Sequence, residues 1–138
     1  MGERDVPLPR PPEPEEFPGL FEFLDSVFRA RGGSMGRDYP RILTERNRFN
    51  LRVVAESGRI VSHAGIVVRD ASLEGMPVRV ALLGAVATHP EHRGRGHASA
   101  CVRSLMERAV ECGADIMWIS GDRGIYRSEE HTSELQSR

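Results

Sequence analysis

The chain has 138 residues and a net charge of −1. That is enough for one domain with a real core, and it lacks the basic excess that nucleic acid or an anionic membrane would call for. All 19 cationic side chains are arginine, no apolar run approaches the ~20 residues of a membrane span, and the N-terminal MGERDVPLPRPPEPEEF lacks the apolar segment of a secretory signal.

Residues 6–14 are proline-rich and read as extended, with a short edge strand at Val6–Leu8. From Glu15 the period becomes helical. Phe17, Leu20, Phe21, Leu24, Val27 and Phe28 form one apolar stripe, with Glu22, Asp25 and Arg29 opposite, and Gly32–Gly33 stop the helix. SMGRDYPRILTERNRFN is polar and broken by Pro40, which predicts a loop with a short helix near Arg41–Arg46.

Leu51–Ala55 reads as a strand, Glu56–Arg59 (ESGR) as a turn and Ile60–Asp70 as the returning strand. A second turn covers Leu73–Pro77. Val78–Thr88 is the third strand, apolar on both faces from Ala81 and therefore central, with Gly84 marking a bulge or a close backbone approach. A helix over Ala98–Cys112 buries Cys101, Val102, Leu105, Met106 and Ala109, and Gly113 caps it. Asp115–Ser120 is a last apolar strand. The order predicts an α/β fold: an antiparallel meander, then a right-handed strand–helix–strand crossover with parallel strands. The two cysteines share one helix, which suggests small buried thiols in a cytoplasmic protein and neither a disulfide framework nor a zinc site.

The chemistry concentrates in HPEHRGRGHASACVRSL, His89–Leu105. A helix N-terminus presents unpaired N–H groups and the positive end of the dipole. Gly94 and Gly96 bare the backbone just before it, and Arg93 and Arg95 add planar donors suited to phosphate oxygens. His97 stands at the helix start. A Walker loop would need a Gly-Lys-Ser/Thr ending, which is absent. A dinucleotide fingerprint would follow a first strand directly and carry a third glycine; here Ser99 stands at that glycine's position and an antiparallel meander precedes the loop.

Arg93-x-x-Gly96-x-Ala98, set in AVATHPEHRGRGHASACVRSLMERA, closely resembles the acetyl-CoA motif of the GNAT superfamily of N-acetyltransferases, R/Q-x-x-G-x-G/A between a strand and a helix. The likeness runs through residues ~6–126 in element order. It implies a GNAT-like mixed sheet with acetyl-CoA as acetyl donor. Backbone groups of Arg93, Gly94, Arg95, Gly96, His97 and Ala98 would hold the pyrophosphate, and Val86, Ala87 and Thr88 would pair with the pantetheine arm like an added strand. The implied activity is acetyl transfer to an amine of a small molecule or peptide, with no metal, nucleic acid or membrane partner. The alternatives are a CoA-binding module without turnover and a dinucleotide-binding oxidoreductase fragment.

Acetyl transfer needs oxyanion donors and a proton for the departing thiolate. By the resemblance, Val86–Thr88 amides supply the first, and Tyr126, just past the last strand, is the acid. SGDRGIY also resembles the GIY segment of the enhanced-intracellular-survival acetyltransferases, whose general base is their C-terminal carboxylate. His63 on the second strand is a candidate base, with a structural role the plainer expectation; Asp122 reads as a turn residue. The loop Phe28–Tyr39, rich in glycine, suits a mobile wall for the acceptor. The acceptor, the base and the oligomeric state stay open.

Residues 1–126 thus read as the N-terminal and central part of a GNAT domain. The tail RSEEHTSELQS, Arg127–Ser137, matches residue for residue one reading frame of a common sequencing adapter. The expectation is a truncated native chain with residues 127–138 as artefact, the C-terminal strands missing, and an exposed apolar edge at Ile116–Ile119 that favours self-association.

Overall fold

A computed structural model describes residues 7–119. Within them, four strands form one mixed sheet in the order β1-β2-β3-β4: β1 (Leu51–Glu56), β2 (Arg59–Leu73), β3 (Met76–Thr88) and β4 (Ile116–Ile119). The first three make the antiparallel meander and β4 lies parallel to β3, with Val80 opposite Ile116 and Leu83 opposite Ile119. The expected α/β class and mixed sheet are therefore observed. Both hairpins turn on two residues of positive φ, Ser57–Gly58 and Glu74–Gly75, the twist that suits tight antiparallel pairs.

Helices cover both faces. On one lies α3 (His97–Glu111), whose Cys101, Val102, Leu105 and Ala109 pack on Val54, Ala64, Ile66, Ala81 and Leu83. On the other lies α1 (Phe17–Phe28), whose Phe17, Leu20, Phe23 and Leu24 pack with Met35, Leu43, Leu51, Val53 and Ala87. Neighbouring Val53 and Val54 serve opposite cores because successive strand residues point to opposite faces. The end of α3 is closed by Gly113 N to Val110 O and Ala114 N to Ala109 O, both 2.9 Å, with Gly113 in the left-handed region.

Several expectations need correction. Met106 is not core: at 47% exposure it lies one step outside the stripe of α3, and His97 is buried instead. Phe23 belongs to the core face of α1, so that stripe is wider than the spacing suggested. The short helix forms at α2 (Met35–Asp38), where Ser34 Oγ accepts from Arg37 N and Pro40 stops continuation; a 3₁₀ segment follows at Glu45–Asn50 rather than a helix at Arg41–Arg46. Val6 of the expected edge strand lies outside the described residues; among those described, Leu8 is exposed and the segment before α1 joins the sheet through a bridge between Arg10 and Val53. In the loop after α1, Asp25 Oδ1 accepts from Met35 N at 2.7 Å and Arg29 pairs with Asp38.

Candidate functional site

The site begins where β3 leaves regular pairing. His63 sits opposite Ala87 and Gly65 opposite Gly84, so Ala85 and Val86 together face the single residue Ala64. This is a β-bulge, one residue later than Gly84. Gly84 itself stays in the ladder, opposite Gly65. A Cβ on Gly65 would stand 2.6 Å from Leu51 Cδ2 and 3.1 Å from Ile42, whereas one on Gly84 would meet Ile42 at 3.5 Å, an ordinary contact. Gly65 is thus bare to admit the side chains laid over it, and no crowding requires glycine at 84. The bulged residue, Ala85, takes φ of 55°, a conformation that costs a non-glycine residue roughly 1–2 kcal/mol.

Two adjacent side chains of β2 hold the bulge from opposite faces. His63, fully buried, lies with Nδ1 2.8 Å from Ala85 O. A carbonyl only accepts, so Nδ1 carries the proton. His63 Nε2 is then a bare lone pair, buried and without a partner among the described residues. Burial holds this imidazole neutral, lowering its pKa from 6.5 to about 4 despite the bond to Ala85. Ser62 Oγ donates to Ala87 O at 3.0 Å and, its proton used there, accepts from Thr88 Oγ1 at 3.1 Å.

After β3 the chain makes a 3₁₀ turn at Pro90–His92 and enters the loop Arg93–Gly96. Gly94 and Gly96 have φ of 81° and 79°, and nothing lies within 4 Å of the place where either Cβ would be. Glycine is thus required by conformation, and its bareness faces open space. From Arg93 to Ser99 no backbone N–H donates to another group among the described residues; the first bond of the helix is Ala100 N to Gly96 O, 3.0 Å. These amides border a cleft of about 560 Å³ lined by Val86, Ala87 and Thr88 on one side and Arg93, Gly94, Gly96, His97, Ala98 and Ser99 on the other, with Val27 and Phe28 of α1 closing it.

The charges divide between cleft and scaffold. Arg93 lines the cleft and makes no ion pair among the described residues. Arg95 turns away: its Nη1 lies 2.9 Å from Oε1 of Glu56, at the end of β1. His97 Nε2 donates to Oε2 of the same carboxylate at 2.7 Å, and His92 Nε2 stands 3.4 Å from Oε1. Glu56 therefore gathers the side chains of the loop and leaves its backbone amides to the cleft. The hydrogen bond from His97, helped by that from Arg95, holds the Glu56 carboxyl below its ordinary range.

Of the residues singled out by sequence, the fold brings Val86–Thr88, Arg93, Gly94, Gly96, His97 and Ala98 to one cleft, and sends the Arg95 side chain to its rim. Tyr126, Asp122 and the tail from Arg127 lie outside the described residues. Sequence reading missed Glu56, Ser62 and the cleft-lining Val27, and placed Phe28 in the acceptor wall where it lines the cleft beside the amide loop. Glu56 is 39 and 41 residues from its partners, and its place in a turn signal gave no hint of them. Cys101 is buried against the sheet, which pushes its thiol up to about 12.

Fold and loop define an α/β protein with an amide-lined cleft at the junction of a central strand and a helix. The sequence matches the family model of the acetyltransferase (GNAT) domain over residues 9–129, and the chain belongs to that family. Among solved structures, it resembles a transcriptional regulator from Bacillus halodurans C-125 at 20% identity and a TM-score of 0.69, covering 94% of this chain and 91% of that one. It also resembles a GNAT family acetyltransferase from Brucella melitensis in complex with acetyl-CoA (20%, 0.67, covering 87% and 79%) and glucosamine-6-phosphate N-acetyltransferase from Arabidopsis thaliana (16%, 0.67, covering 92% and 88%). At these identities the likeness is one of fold. None of the curated proteins compared gives a significant match. Among the described residues no helix is long and apolar enough to cross a membrane.

Proposed function

We propose that the chain is an acetyl-CoA-dependent N-acetyltransferase that acylates an amine. The observation that carries this reading is the unpaired run of amides from Arg93 to Ser99, opening on a cleft of about 560 Å³, within the range of small-molecule and cofactor sites. The amides and the positive end of α3 suit a pyrophosphate, and Arg93 adds charge that no carboxylate among the described residues pairs with. The opposite wall, Val86–Thr88, is strand backbone next to a bulge, suited to pairing with an extended amide-bearing arm. The cofactor supplies an acetyl thioester when bound. The chain's part is to hold its phosphates, align its arm and offer amides to the thioester oxygen. The acetyl-CoA complex of the Brucella melitensis structure supports the reading.

His63 is set aside as the base: it is fully buried, keeps its Nδ1 proton on Ala85 and stays neutral above about pH 4. Tyr126 is the acid this reading assigns, and a cytoplasmic location goes with it. The test is calorimetric titration with acetyl-CoA and with NAD, followed by thiol release over a panel of amines. Micromolar binding of acetyl-CoA, none of NAD, and amine-dependent thiol release are expected. Binding without release to any amine would leave a CoA-binding module, and preference for NAD would overturn the reading.

A further inference from the structure

The bulge in β3 raises a question that packing alone does not answer. An apolar side chain at position 63 would fill its space without stranding a nitrogen, yet a histidine stands there with Nε2 buried and unpartnered. Among the described residues its one polar contact is Nδ1 to Ala85 O, at the one residue of β3 with positive φ. A bulge leaves its extra residue without a ladder partner, and the Ala85 carbonyl, part-buried at that place, calls for a donor. His63 is that donor. Ser62, from the other face, fixes the Ala87 carbonyl. With both carbonyls tied, the peptide planes of Val86–Thr88 are oriented, and these residues form the wall of the cleft opposite the amide loop.

We infer that His63 is a positioning residue for the acyl-donor arm: through Ala85 it sets the angle at which Val86–Thr88 present their backbone to the arm, and it has no part in gripping the phosphates. The inference rests on the proposed function, and it separates two halves of one ligand. The phosphate loop is held by Glu56 through Arg95 and His97, a set of contacts that does not include His63.

The experiment measures affinities of the 138-residue protein and its variants for acetyl-CoA and for ADP, which carries the pyrophosphate without the arm. His63→Leu removes the donor. His63→Asn keeps an amide N–H close to the Nδ1 position. We expect His63→Leu to lose about tenfold in acetyl-CoA affinity, the scale of one hydrogen bond's net contribution, with ADP affinity unchanged, and His63→Asn to recover most of the loss. Unchanged acetyl-CoA affinity in His63→Leu, or an equal loss for ADP, overturns the inference. Failure of the unsubstituted protein to bind acetyl-CoA instead overturns the proposed function on which it rests. If His63→Leu does not fold, ¹⁵N spectra of the unsubstituted protein decide. A proton on Nδ1, with Val86–Thr88 amides shifted by acetyl-CoA and not by ADP, supports the role; a proton on Nε2, or equal shifts with both ligands, overturns it.

Discussion

Gly65 has no room for a methyl group. Its Cβ would stand 2.6 Å from Leu51 Cδ2 and 3.1 Å from Ile42 Cγ2, both in the layer beneath α1. Gly65→Ala should therefore destabilise the protein by about 1–3 kcal/mol, visible as a fall in the denaturant midpoint at unchanged slope; an unaltered midpoint would mean that Ile42 moves aside freely. The two thiols differ just as plainly. Burial raises Cys101 to about 12, while Cys112, at the end of α3, is partly exposed. Thiolates, not thiols, react, so a disulfide reagent should modify Cys112 in the folded protein and reach Cys101 only on unfolding. Equal rates for both would contradict the packing of α3.

At the scale of elements, the site is a meeting of two irregularities. The bulge ends regular pairing of β3, and the left-handed Gly94 and Gly96 let the chain approach α3 with its amides unpaired. Gly96→Ala should impose roughly 1 kcal/mol of backbone strain and place a methyl group in the approach to the amides. Acetyl-CoA affinity is expected to fall about tenfold, a loss equal to one charge-assisted hydrogen bond. Gly75→Ala, in the β2–β3 turn at φ of 82°, controls for strain alone: it should cost similar stability and leave affinity intact. Similar losses of affinity in both variants would remove the phosphate loop from the binding site. The first-turn amides of α3 stay open to the cleft because Gly96, at the N-cap position, offers no side chain to occupy them.

For the molecule as a whole, the buried histidine makes folding sensitive to mild acid. His63 has a folded pKa of about 4 against 6.5, so between these values the unfolded chain binds the extra proton. Stability should be level above about pH 6.5 and fall by up to about 1.4 kcal/mol per pH unit toward pH 4. Glu56 acts lower: its carboxyl is depressed, so its contribution holds above the ordinary carboxylate pKa and is lost only as pH falls through the folded value. Denaturant melts from pH 8 to pH 4 test this. His63→Asn, which cannot titrate, should flatten the upper part of the profile, and an unchanged profile would place the acid sensitivity elsewhere.

The sequence by itself determined the elements and their order. Helical spacing marked α1 and α3, alternation and turn residues marked the meander, and the doubly apolar run from Ala81 marked β3 as central. All of these are local signals, set by side-chain periodicity and backbone preference. The sequence also showed the glycine–arginine junction, because a bare backbone before a helix is written in consecutive residues. Only the tertiary structure decided where the bulge falls, since that is set by the register of β2 on β3, and that Gly65 must be bare, since Leu51 and Ile42 come from other elements. It alone decided that Arg95 turns to Glu56 while Arg93 faces the cleft, and that His63 and Ser62 hold β3 by its carbonyls. Those pairings join residues far apart in the chain, and which donor meets which acceptor is fixed by the register of the strands and the seat of α3.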